Sequence, residues 1–230
     1  MAMTTSHTVP TTPAPSRHTP APPPANRFLR FWAHLLSYVF HPLFISSYVM
    51  AFLIFFHPMA FSESDSREKI FRFGNIVLCN VLLPGFSVFL LWRLKFIQSI
   101  MLRTEKERIL PYLLAMFFYW WTWDVFKNLP RIPVSAVHFL LGSFLAICGA
   151  WMANIYFKIS MHAIAMGSAL MFFFLFSFTD GYASGLYLSL VLLVTGLVCS
   201  ARLILSAHSN FEIWSGLFIG VLAQVIAWQF

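Results

Sequence analysis

Past residue 26 the chain is built of long apolar stretches separated by short polar ones. Seven of them reach or approach the roughly 20 residues that a helix needs to cross a bilayer. They cover about 32–56, 71–94, 109–127, 134–157, 160–179, 185–205 and 213–230. The runs are unbroken and lack the alternation of a barrel strand. In hydrocarbon every backbone N–H and C=O must be paired within its own segment or in a closed barrel. The pattern therefore predicts an all-α fold, a polytopic transmembrane bundle of six to seven helices. Pro42 inside the first stretch and Pro84 inside the second should each kink or break a helix. The first stretch is also consistent with an interfacial helix up to His41 followed by a short span. LPRIPV and TDGYASG carry turn chemistry, and SESDSREK is the most polar loop. No internal repeat is visible.

Composition sharpens the class. Hydrophobic residues make up 59% of the 230 residues and charged ones 10%, well beyond the roughly 45–50% apolar content of a soluble domain. Seven of the 13 prolines fall in residues 1–26, among Thr, Ser and Ala. That segment cannot bury a core and reads as a disordered tail. It has no short apolar run ahead of a small-residue cleavage site, so it does not read as a cleavable signal. Residues 27–230 form one membrane-embedded domain. Cys79, Cys148 and Cys199 all fall inside predicted spans and read as packing residues. No CxxC or HExxH occurs, so neither a metal nor another cofactor is expected. No P-loop, GxSxG, dinucleotide fingerprint or basic-aromatic groove appears, so no nucleic acid is expected either.

Polar groups beside hydrocarbon are costly and tend to be kept for function. Three clusters stand out. LRTEKERILP holds Arg103, Lys106 and Arg108. FKISMHAIAMG holds Ser160 and His162. CSARLILSAHSNFEIWSG holds Arg202, His208 and Glu212. With seven crossings, these loops follow the second, fourth and sixth stretches and lie on one face. That face, with the N-terminus, carries ten Lys or Arg (17, 27, 30, 93, 95, 103, 106, 108, 158, 202), the other five (67, 69, 72, 127, 131). The positive-inside rule would put the site in the cytoplasm. Without 103, 106, 108, 158 and 202, which chemistry alone could explain, the count is even and the side stays open. The net charge of +7 fits contact with anionic headgroups.

The residue types suit phosphoryl chemistry. A neutral imidazole with one nitrogen free and the other held by a hydrogen bond is a nucleophile towards phosphorus. If the seventh helix begins early, Glu212, four residues after His208, shares a face with it and can fix its tautomer. Arg202 offers a planar fork to phosphate oxygens, and phosphoryl transfer is mostly positioning and charge stabilisation. His162 can protonate a leaving alkoxide. Ser160 and backbone amides at a helix start favour an anion. Taken one at a time, each residue could simply mark a membrane interface; the joint pattern favours function. Asp124, the aromatic cluster Tyr119–Trp123, His41 and His138 read as interface or packing groups.

The spacing resembles the type 2 phosphatidic acid phosphatase (PAP2) superfamily, which shares its site with vanadium haloperoxidases and reads K-x6-RP, PSGH and SR-x5-H-x3-D. Arg202, His208 and Glu212 follow the third motif, with Ala201 for Ser and Glu for Asp. Ile159–His162 stand at PSGH, with Met161 for Gly. Arg108 precedes Pro111 by three residues, with Arg103 or Lys106 in the Lys role. The motifs come in family order over residues 103–212. The resemblance implies a PAP2-like bundle and a metal-independent phosphoric-ester hydrolase. His208 would be the nucleophile, Glu212 its orienter and His162 the acid, with Ser160, Arg202, Arg108, Lys106 and Arg103 binding phosphate. The substrate would be a membrane lipid phosphomonoester or diphosphate. The protein would be a multi-pass protein of a bacterial inner membrane. Two alternatives stand beside it. One is a non-catalytic protein, a degenerate relative or small transporter, that binds anionic lipid. The other is a phosphotransferase that passes the phosphoryl group to another alcohol. A transporter should show polar residues running through mid-span.

Overall fold

The computed structural model describes residues 26–100, 102, 104–179 and 184–230, with Glu105 and Ser184 described in backbone only. Every regular element among them is helical. The tail 1–25, Arg103 and most of the TDGYASG turn lie outside the described residues. Asn26 belongs to the first helix rather than to the tail, because its side chain accepts from the Phe28 amide at 3.3 Å and caps that helix.

Each apolar stretch is a helix or a broken helix. The first is two, α1 (Arg27–Val39) and α2 (Pro42–Ala51), the second continued by a π turn, Phe52–Phe56. They meet at 61°. Pro42 stands at the start of α2 behind an N-cap supplied by His41, where a missing N–H costs nothing. The second stretch is α3 (Ser66–Val77), a π turn (Leu78–Leu82) and α4 (Leu83–Arg93). These run as one 28-residue segment, so Pro84 ends a π bulge without breaking the span. Then follow α5 (Glu105–Asn128), α6 (Val134–Ala153), α7 (Met161–Thr179), α8 (Ser184–Ile204) and α9 (Asn210–Ala227).

Five of these segments are long and apolar enough to cross a membrane, or up to six if the bent α1–α2 pair is one span. The seventh expected crossing, 109–127, is the difference. Its helix α5 is long enough, but the stretch freest of charge, 109–126, still holds Asp124, Pro111, two tyrosines and three tryptophans, which dilute its hydropathy.

The best-packed part of the bundle is α7 against α9, with α6 beside both. Small residues make the close approach possible. A Cβ at Gly220 would run into the Ile164 carbonyl oxygen, and one at Gly216 would sit 2.9 Å from the Ser160 carbonyl oxygen. This is the small-xxx-small contact of membrane helices. It sets α9 parallel to α7, with Gly216 beside the start of α7 and the first turns of α9 reaching beyond it. Phe139, Phe172 and Leu140 fill the centre of the bundle.

Neutral polar groups also tie the helices in mid-bundle. The Thr122 hydroxyl donates to the Asn80 side-chain oxygen at 2.7 Å. Asn80 Nδ2 donates to Ser46 Oγ at 3.5 Å, which pairs with the Tyr119 hydroxyl at 3.2 Å. Asn80 lies in the Leu78–Leu82 π turn and is fully buried. Sequence reading placed the polar groups at one face only. These four groups are hydroxyls and an amide bonded to one another, the usual glue between membrane helices.

Candidate anion site at the starts of three helices

The third cluster is built by two local stop and start signals. α8 ends in a Schellman arrangement: the Ala207 amide donates to the Arg202 carbonyl at 3.1 Å and the Ser206 amide to the Leu203 carbonyl at 2.9 Å. Ser206 takes the left-handed conformation this requires, φ 50°, a place usually given to glycine. α9 then starts at once. Ser209 Oγ accepts from the Glu212 amide and the Glu212 carboxylate accepts from the Ser209 amide, each at 3.3 Å, a full capping box. The six-residue spacing from Arg202 to His208 is thus the length of one helix stop and one helix start.

The same carboxylate holds the histidine. His208 Nδ1 lies 2.7 Å from Glu212 Oε2. A carboxylate only accepts, so Nδ1 carries the proton and Nε2 keeps a free lone pair. The His208 side chain is 5% exposed. Its pKa lies below the ordinary value, first because burial disfavours the cation. Arg202 and Lys158 push the same way, while the Glu212 hydrogen bond and charge oppose them. Burial thus favours the uncharged imidazole.

The second cluster lies at the start of α7. Ser160 is fully buried, and its Oγ accepts from the Ala163 amide at 3.4 Å. Its hydroxyl thus caps its own helix. His162 Nε2 sits 3.1 Å from the Ser37 carbonyl oxygen, so that nitrogen is the one that carries hydrogen. Arg202, His41 and His208 all lie within electrostatic reach of His162.

From the first cluster, only Arg108 is seen to join. Its guanidinium donates to the Leu102 carbonyl at 3.0 Å and to the Ile159 carbonyl at 3.3 Å, next to Ser160. It also lies within electrostatic reach of Arg202. Thr104 and Glu107 form a capping box that starts α5, which fixes where Arg108 stands. Lys106 is exposed on the first turn of α5, and no contact joins it to the other candidates among the described residues. Arg103 lies outside the described residues.

Three residues outside the expected set take part. Ser37, near the end of α1, is 7% exposed; besides holding His162 through its carbonyl, its hydroxyl accepts from Arg202 at 3.2 Å. The His41 ring stands edge-on to the His162 ring, centroids 5.7 Å apart. Lys158 reaches His208 electrostatically. Ser37 and His41 are 125 and 121 positions from His162, beyond any local motif. Lys158 precedes Ser160 by two residues and was legible as a charge at the same mouth. Arg202 Nε is buried and has no hydrogen-bond partner.

The result is a cationic spot, Arg202 with Arg108 and Lys158 near it, at the level where α5, α7 and α9 begin. Helix N-termini favour anions. Among the described residues no group of three or more His, Cys, Asp or Glu could hold a metal. Two cavities lie deeper. One of about 80 Å³ lies among α2, α5, α6 and α7, and one of about 260 Å³ among α2, α7 and α8. Neither is lined by His162, Arg202 or His208; Ser37 occupies the hydrogen-bonding positions between Arg202 and His162. The chain has no match among models of known protein families, curated proteins or solved structures.

Proposed function

We propose that this is an integral membrane phosphatase acting on a lipid phosphomonoester or diphosphate, with a PAP2-like arrangement of the site. The observation that carries it is the 2.7 Å contact of His208 Nδ1 with Glu212, beside Arg202. Nε2 of His208 attacks phosphorus, and the P–O bond to the lipid breaks. His162, in its imidazolium form, gives its Nε2 proton to the leaving alkoxide. Water then cleaves the phosphohistidine, with His162 taking a proton back, and inorganic phosphate leaves. Arg202 stabilises the equatorial oxygens, and Arg108 and Lys158 add positive potential. The phosphate would displace Ser37 from Arg202 and His162, taking over both hydrogen bonds.

Ser37 also favours a second reading, a protein that binds anionic lipid without turning it over, because its contacts leave the two candidate phosphate binders already satisfied in part. The purified protein separates the two. Phosphate release should be measured from phosphatidate, phosphatidylglycerophosphate, a polyprenyl diphosphate and a lipid A phosphate. The phosphatase reading expects release from at least one, with vanadate inhibiting and EDTA without effect. Binding to all four without release from any would select the second reading.

A further inference from the structure

The larger cavity, about 260 Å³, is a groove walled by α2, α7 and α8. Its lining follows one stripe on each helix, and each stripe points back to the cluster just described. On α2 the stripe is Ile45, Val49 and Phe52; one turn before Ile45 stands His41. On α7 it is Met166, Ala169 and Phe173; one turn before Met166 stands His162. On α8 it is Tyr187, Val191 and Val194; two turns after Val194, past the fully buried Val198, stands Arg202. Residues four and seven or eight apart share a helical face, which sets His162 and Arg202 at the heads of their stripes; His41, the extended N-cap of α2, joins them through its ring contact with His162.

The far end is closed by one ring from each helix. Phe52 lies 4.6 Å from Tyr187 and 5.2 Å from Phe173, centroid to centroid. From Met166 to Phe173 is about 10 Å by helical rise. The near end is cationic, and Arg202 Nε there lacks a partner. A small soluble anion would use only the head of this arrangement, and a neutral hydrocarbon only the groove. An amphiphile with an anionic head uses both.

The geometry points to a groove that holds one hydrocarbon chain of the lipid phosphate, with the Phe52–Phe173–Tyr187 cluster limiting how long that chain can be. This rests on the phosphatase reading for its headgroup. The aromatic floor makes the groove a ruler for that chain.

Two measurements on the full-length protein in detergent micelles test it. The first is kcat/KM for n-alkyl phosphates from octyl to octadecyl at constant mole fraction. It should pass through an optimum and fall about tenfold or more beyond it, the cost of overpacking a closed site. Tyr187→Ala should move the optimum to longer chains and Val191→Trp to shorter ones. Hydrolysis that is indifferent to chain length would overturn the groove and leave the phosphatase reading standing. The second needs no turnover. Alkyl phosphates bearing a diazirine on the terminal carbon are photolysed with the wild-type protein and the adducts mapped. Adducts at Phe52, Phe173 or Tyr187 support the groove. Adducts only on outward side chains such as Phe174 and Leu192, which are 43% and 58% exposed, overturn it, whatever the activity.

Discussion

At the scale of single residues, the account turns on which imidazole nitrogen is free. His208 donates a hydrogen bond from its Nδ1–H to Glu212, and burial favours its neutral form. Its pKa is lowered from 6.5, so the neutral form survives further into acid than for a free histidine. The pH dependence of kcat/KM should therefore stay flat through 6.5 and fall with unit slope only at a lower pH. An acidic limb centred above 6.5 would contradict a buried neutral nucleophile. Glu212→Gln keeps the nucleophile and loses the charge that fixes its tautomer. Turnover should drop by roughly tenfold to a thousandfold rather than vanish, and the limb should move to still lower pH, because the Glu212 contribution that raises the pKa is gone. Ser37→Ala removes only the hydroxyl that accepts from Arg202, and should lower KM for a lipid phosphate by a few fold if phosphate takes that place. The sequence showed the local part of this site. His208 and Glu212 are four apart, and the R-x5-H spacing is one helix stop and one start. Ser37 and His41 were out of reach because they meet Arg202 and His162 only through the packing of α1 on α8 and of α2 on α7.

At the scale of elements, short sequence signals fix where the polar groups stand. The Thr104–Glu107 and Ser209–Glu212 capping boxes are of the S/T-x-x-E type that starts a helix, and they place Arg108 and His208 at helix starts. Both were readable in the sequence, but the hydrophobic pattern alone started α5 at 109 and α9 at 213, a few residues late. Ser209→Ala should cost about 1 kcal/mol of stability, read as a lower melting temperature in detergent. It should also loosen Glu212 and slow turnover. The α7–α9 contact is a stricter constraint. Gly220→Val puts a branched side chain against the Ile164 carbonyl and the Ser168 amide, which are backbone and cannot swing aside. It should destabilise the bundle by about 1–3 kcal/mol, whereas Gly196→Ala, with open space around that Cβ, should not.

At the scale of the whole molecule, Arg108 of the first cluster meets the second and third clusters because the chain returns to one end of the bundle before α5, α7 and α9. That convergence was legible from the order of apolar stretches. The number of crossings was not, since α5 is diluted by tyrosine, tryptophan and Asp124 and α1 is bent 61° away from α2. Single cysteines placed at Lys158 and Ser206 should react with an impermeant maleimide from the same side of a sealed vesicle, and one at Ser62 from the other. A mixed result for the first two would mean that the clusters do not share a face. The neutral network of Ser46, Asn80, Tyr119 and Thr122 is the mid-bundle feature that the sequence did not show, because its members are single hydroxyls and amides inside apolar runs.

The claim at the centre of the account is that His208 becomes phosphorylated. The direct measurement is brief incubation of the purified protein with a lipid phosphate labelled with phosphorus-32, an alkaline quench, and peptide mapping. The account predicts an alkali-stable, acid-labile label on the peptide that contains His208, absent from His208→Ala, whose turnover should fall by roughly a thousandfold or more. Wild-type turnover without such a label, or a label that persists in His208→Ala, would contradict it.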